Sequence, residues 1–178
     1  MNTIQINRRQ YFAPVCAVFL CAFSFHTAAS DIVVGWIEKV MLLENNLYIH
    51  SKLDTGADSS SLNAIDPVIT EEGKDKYITF TITNREGDQA RIHKRIIRWA
   101  VVKTKVGVTS ERPVVIMPLC LGNTSRHVEV NLVNRSNFAY QMLIGRNFLA
   151  GNPNLLINSA TEYTTEPSCR LDDKRAKN

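Results

Sequence analysis

The sequence predicts an all-β domain, a closed or partly open β-barrel with one short helix near its C-terminus. Three observations carry that prediction. Apolar residues recur at every second position in run after run, which is the period of a half-buried strand. Clusters of Gly, Asn, Asp and Pro punctuate those runs at short intervals. Only Asn147-Phe148-Leu149-Ala150, following Gly145, offers a helical turn. Many short strands with frequent turns bury their apolar faces by closing a sheet on itself.

The elements follow in chain order. Arg8 and Arg9 precede an apolar run over residues 11–25, and His26-Thr27-Ala28-Ala29-Ser30 follows with small side chains. This order of basic, apolar and small residues predicts a secretory signal peptide cleaved after Ala29, with an uncleaved N-terminal anchor as the alternative. The apolar run is shorter than the ~20 residues a membrane-spanning helix needs. Residues 1–29 are therefore expected to be a signal peptide, 30–160 one domain and 161–178 a polar tail. The expected location is periplasmic or secreted, with no stable membrane insertion after cleavage. Ile32–Leu42 opens with β-branched residues and reads as the first strand. Glu44-Asn45-Asn46 turns the chain, and Leu47–Leu53 alternates as the second strand. Asp66-Pro67 is a breaker, and the polar residues 70–76 read as a loop. Residues 77–83 place Ile78, Phe80 and Ile82 on one face and threonines on the other. Residues 84–88 form a turn, and 90–93 return as the partner strand.

Residues 95–103 continue as one strand with a bulge, and Gly107 marks a turn. Residues 112–119 form an apolar strand whose prolines, Pro113 and Pro118, suit edge positions. Residues 126–133 alternate with Val128, Val130 and Leu132 inward. Met142-Leu143-Ile144 leads into the helical turn, Gly151-Asn152-Pro153 ends it, and 155–158 form the last strand. From Glu162 the chain is polar and reads as a loose tail apart from Cys169.

Of the 178 residues, 44% are apolar and 21% charged, enough for one soluble domain with a core. The 21 Lys and Arg residues stand against 17 Asp and Glu, and signal cleavage removes Arg8 and Arg9 but no acid. The balance left is near neutral and is no footprint for nucleic acid. Arg91, His93, Lys94, Arg95 and Arg98 form a basic cluster. It is either the solvated face of a strand, which is the plainer reading, or a patch for an acidic peptide or cell-wall polymer. Cys16 and Cys21 lie in the signal segment. Cys120 and Cys169 remain, an even pair that predicts a disulfide in an exported chain, two unpaired thiols being the alternative.

The stretch with the most chemical content is Leu53-Asp54-Thr55-Gly56-Ala57-Asp58-Ser59, where a strand breaks into a tight loop. A carboxylate at such a tip has its rotamer held by neighbouring hydrogen bonds, as a general acid or base requires. Far downstream stands Gln141-Met142-Leu143-Ile144-Gly145-Arg146-Asn147-Phe148-Leu149. Together the two stretches resemble the retropepsin-like (retroviral-type) aspartic proteases. The wider run from Lys52 to Ala64, with Glu111-Arg112-Pro113-Val114-Val115 and Asn134-Arg135, resembles a bacterial group more narrowly. That group is the RimK-linked aspartic-protease-like one, also labelled ATP-dependent zinc proteases. The resemblance spans residues 32–157 and implies the retroviral-type barrel, with residues 60–64 as a short strand after the loop. It assigns catalysis to Asp54, Thr55 and Gly56. It places Gly145 and Arg146 beneath the loop as its support, with Arg146 paired to Asp58. Ala57, Ser59, Arg112 and Arg135 are candidate substrate-binding residues. The two arginines either take a substrate carboxylate or pair with acids of the fold, the latter being the plainer reading.

Aspartic proteases use two carboxylates that share a proton, and this sequence has one Asp-Thr-Gly. Asp54 is therefore expected to find its partner in a second copy, with a peptide or protein as substrate. A non-catalytic domain of the same fold, binding a peptide or a partner protein, is the alternative. The separation of Asp54 from Gly145 exceeds that of the retroviral enzymes, with an insertion over residues 65–108. A glycine-rich flap tip is missing, and residues 84–89 are the candidate flap. His50, His93 and His127 are widely spaced, and no His-Glu-x-x-His or Cys/His cluster has ligand spacing. No phosphate-cradling Gly-rich loop is present either. No metal and no cofactor are expected.

Overall fold

The computed structural model describes residues 31–103, 109–151 and 153–170. The signal peptide expected over residues 1–29, the turn expected at Gly107 and the last eight residues lie outside the described residues. Eleven strands and one short helix follow in order: β1 (Ile32–Leu42), β2 (Leu47–Leu53), β3 (Ser60–Asn63), β4 (Ile65–Glu72), β5 (Asp75–Thr83), β6 (Gln89–Arg95), β7 (Arg98–Lys103), β8 (Thr109–Leu121), β9 (Thr124–Val133), β10 (Met142–Ile144), α1 (Arg146–Leu149) and β11 (Leu155–Glu162).

Eight strands form one sheet in the order β11-β1-β2-β10-β3-β9-β8-β7. The sheet closes on itself because β1 also pairs with β8, through Met41–Cys120 and Leu42–Leu119. The result is a barrel-like ring from β1 round to β8, with β11 and β7 as overhanging edges. The predicted alternation explains the packing. Leu47, Ile49, Ser51 and Leu53 of β2 are buried while Tyr48 and Lys52 face out. Val40, Ile49, Leu62, Val115, Leu119, Val130, Met142, Ile144 and Phe148 meet in one core. Full burial of such a side chain is worth roughly 1.5–3 kcal/mol, so the ring rests on this inner face.

The inserted residues form a second sheet, β4-β5-β6. Ile78, Phe80, Ile82 and Ile92 on its inner face join the same core. Three expectations need correction here. Residues 70–76 are not a loop: β4 runs through Glu72 and pairs with β5 across Gly73, whose φ is +64°. Pro67 is accommodated because the register shifts between Ile65 and Val68. As an exposed edge strand β4 carries little alternation. Residues 95–103 are not one strand. The Ile96 N–H donates to Lys76 O in the small sheet and the next N–H, of Ile97, donates to Val114 O in the large one. The chain changes sheets between adjacent residues. Residues 84–89 are not placed as a flap. Glu86 is bonded to His50 on β2, and Asn84 and Asp88 close their own turn.

The segment after Glu162 also differs from the loose tail expected. Tyr163 N–H donates to Ile37 O, and Ser168 N–H to Gly122 O. The predicted disulfide is formed between Cys120 and Cys169, with Cα atoms 5.9 Å apart.

Candidate active site

β2 ends at Leu53, and the loop at its tip is built by short-range bonds. Asp54 N–H donates to Ile144 O at 2.8 Å, which fixes the loop to β10. Ala57 N–H reaches back to Asp54 O, and Gly56 N–H donates to Asp54 Oδ1 at 3.0 Å. That second bond orients the carboxylate. Asp54 is half-buried, whereas Thr55 and Gly56 are exposed.

The downstream motif lies against this loop. Gly145 is needed there for space: a Cβ on it would stand 2.6 Å from the Ser59 carbonyl carbon. Arg146 N–H donates to Ala57 O and Asn147 N–H to Asp58 O. Arg146 Nη1 donates to Thr55 O at 2.8 Å, and Nη2 pairs with Asp58 Oδ1. The expected Arg146–Asp58 pair is thus formed, but in solvent, with the Asp58 side chain 87% exposed. Exposed pairs contribute ~0–1 kcal/mol, so the backbone bonds hold the loop more firmly than the charges do.

Three polar residues that sequence reasoning missed complete the support. Asn147 Oδ1 accepts from both Ser60 N–H and Ser60 Oγ, and Asn147 Nδ2 donates to Glu129 O. Asn131 Nδ2 donates to Ser60 O at 2.7 Å. Asn147 stood within the Gly-Arg-Asn motif and was legible in principle. Ser60 and Asn131 carried no local signal, because their partners are distant in sequence.

A cleft of about 910 Å³ opens beside the loop and is lined on that side by Ala57, Asp58 and Ser59. Arg112 and Arg135, two of the candidate substrate-binding residues, both line it. Asp54 stands outside its lining. Arg135 is 8% exposed; its guanidinium donates to Ser61 Oγ and Tyr140 O and lies over the Phe138 ring. Burial lowers its affinity for the proton, the Arg112 charge adds to that, and the Asp54 carboxylate opposes it. Burial acts the same way on Arg112. Arg112 Nη1 donates to Asn131 Oδ1, while its buried Nε has no acceptor. Among the described residues neither arginine forms a salt bridge, so the plainer reading, pairing with acids of the fold, does not hold for them. The basic cluster behaves oppositely. Lys94 pairs with Glu44, His93 with Glu72, Arg95 with Asp75 and Arg98 with Glu129. Four of its five members thus stand against acids, as in the plainer reading of a solvated face.

β7 forms the far wall of the cleft and is the terminal strand of its sheet. Trp99 pairs with Pro113, which has no N–H, so this pair is of the non-hydrogen-bonded kind. Trp99 and Val101 consequently turn their N–H and C=O groups toward the open edge.

A single Asp-Thr-Gly loop per chain, seated on a small closed sheet with a Gly-Arg motif beneath it, defines the retropepsin-like aspartic proteases. The chain belongs to the RimB-like family, described as retropepsin-like aspartic endopeptidase RimB, whose profile matches residues 33–167. It is similar to the crystal structure of protein Lpg0085, of unknown function, from Legionella pneumophila, with a TM-score of 0.64 and 32% identity. That alignment covers 77% of this chain and 100% of the other. Among curated proteins it is 30% identical over 106 residues to a probable alpha-L-glutamate ligase of Parasynechococcus marenigrum (strain WH8102), covering 58% of this chain and 23% of that protein. A probable alpha-L-glutamate ligase of Shewanella pealeana (strain ATCC 700345 / ANG-SQ1) is 27% identical over 101 residues, covering 55% and 22%. The chain thus spans less than a quarter of the length of these two relatives.

Proposed function

We propose that the protein is an exported aspartic peptidase that works as a homodimer and cleaves peptides rich in carboxylates. The observation that carries the peptidase reading is the Asp54 loop itself: its carboxylate is oriented by Gly56 N–H, and its tip residues Thr55 and Gly56 are left open to solvent. An acid of this kind needs a twin. In a twofold dimer the tips of two copies meet, and the two Asp54 carboxylates share one proton because like charges ~3 Å apart cannot both ionise. The ionised member takes a proton from water, and the neutral one donates to the scissile carbonyl oxygen. The position of Asp54 outside the cleft's lining suits a site of which one chain supplies half.

The acidic preference rests on Arg112 and Arg135. Two partly desolvated guanidinium groups that form no salt bridge among the described residues favour an anionic ligand. An extended substrate gains backbone bonds by lying along the open edge of β7. The names of the glutamate ligase relatives agree with an acidic peptide.

The test combines sedimentation with peptide turnover. A dimer is expected at the concentrations where acidic peptides are cleaved, and Asp54→Asn should fold, dimerise and lose turnover. Turnover by a strict monomer, or by Asp54→Asn at the wild-type rate, removes the paired-aspartate reading. Equal KM for acidic and neutral peptides removes the acidic preference alone.

A further inference from the structure

The segment from Tyr163 to Cys169 is a strap that continues β11 along the edge of β1. It runs along β1 to the point where the ring closes. Its most unusual partner is Glu38, a carboxylate with 0% exposure. Glu38 Oε1 accepts from Gly35 N–H at 2.7 Å, Thr164 N–H at 2.9 Å and the Thr164 hydroxyl. Glu38 Oε2 accepts from Thr165 N–H and the Thr165 hydroxyl. Among the described residues Glu38 forms no salt bridge. All its partners except Gly35 belong to the strap.

A buried carboxylate satisfied by a detachable segment differs from an apolar anchor. When the strap leaves, an apolar residue is stranded in water, but a carboxylate is hydrated. The other ties of the strap are of the same reversible kind. Lys39 pairs with Glu166 at the surface, and Tyr163 O–H faces His50 Nδ1 at 3.0 Å. Each competes with water and is individually weak. The covalent tie is Cys120–Cys169. Cys120 is fully buried and lies in the two-pair seam that closes the ring, opposite Met41. Cys169 is half-buried, the less enclosed of the two cysteines.

We propose that this bridge is a redox-controlled lock on the strap, closed only in an oxidising compartment. A dithiol reductant opens it in two steps. One reductant thiolate attacks Cys169 Sγ, the S–S bond breaks, and its electron pair goes to Cys120 Sγ, which takes a proton. The second reductant thiol then displaces Cys169 as a thiol and leaves as a cyclic disulfide. The Cys120 thiol has an acceptor ready in Gly122 O, 3.2 Å from its sulfur. Without the bridge the strap's polar ties lose their high effective concentration. The strap then comes off Glu38, and the β1–β8 seam loosens while the rest of the ring stays folded. The lock does not depend on the peptidase reading.

Hydrogen–deuterium exchange on the full mature chain tests this, with dithiothreitol as the reductant. In the oxidised protein the Thr164, Thr165 and Ser168 amides, all hydrogen-bonded, should be protected. After reduction, and equally in Cys169→Ser, they should exchange at least about tenfold faster, with the β9 and β10 amides unchanged. Protection of the strap that survives reduction overturns the proposal, since Glu38 alone then holds it. Loss of protection across the whole domain at once also overturns it, because the bridge is then a global staple.

Discussion

Asn147 holds Ser60 by both of that residue's donors: Oδ1 accepts from the Ser60 backbone N–H at 3.0 Å and from its hydroxyl at 2.9 Å. The Ser60 oxygen accepts in turn from Gly145 N–H at 3.1 Å. One carboxamide thereby joins the strand leaving the Asp54 loop to the motif beneath it, and through Nδ2 to Glu129 O on β9.

Removing that carboxamide strands two donors of Ser60 on β3 and a carbonyl acceptor, Glu129 O, on β9. Asn147→Ala is expected to cost about 2–3 kcal/mol, since an unsatisfied buried polar group costs roughly 1–3 kcal/mol. Urea denaturation measures it. A loss below about 0.5 kcal/mol would mean that water replaces the amide without penalty.

The two ends of the Arg146–Asp58 pair should be unequal. Asp58 is exposed, and Asp58→Ala is expected to cost at most about 1 kcal/mol. Arg146→Ala also removes the bond to Thr55 O and should cost about 1 kcal/mol more. A double-mutant cycle reads the pair itself, and a coupling above about 1 kcal/mol would contradict the solvent-exposed geometry.

Glu86 carries a pH prediction. Its own backbone N–H holds the carboxyl below the usual value of 4.5, and the bond to His50 adds to this. A depressed carboxylate stabilises the fold fully above the unfolded value and loses that contribution as pH falls through the lower folded value. The contact of the 84–88 turn with β2 should therefore hold at pH 5 and weaken only below about 4.5. The His50 ring signals in an NMR titration report it. Glu86→Gln should abolish the change seen in that acid range, and its persistence would assign it to another group.

Much of the ring was readable because its information is local. The alternation of residues 77–83 stated which side of β5 is buried, and Ile78, Phe80 and Ile82 are indeed fully buried. The Asp54 loop was readable for a different reason: its turn is closed by bonds between neighbours, Gly56 to Asp54 and Ala57 to Asp54. β4 was missed because an exposed edge strand with a proline has neither a buried face nor a full ladder to impose a pattern. The break at Ile96-Ile97 was missed because both residues are apolar, and nothing local tells which sheet each will join.

The amino-acid order alone determined the all-β class, the Asp-Thr-Gly tip and the cysteine pair. Each of these is set by side-chain period, by turn chemistry or by residue type at short range. Only the tertiary structure decided that Arg112 and Arg135 share a cleft in which neither is ion-paired among the described residues, and that Glu38 is buried under Thr164 and Thr165. Those facts depend on which strands lie side by side once the ring has closed. A period of two says that a face is covered but not what covers it, because the covering residues come from distant segments brought together by the core.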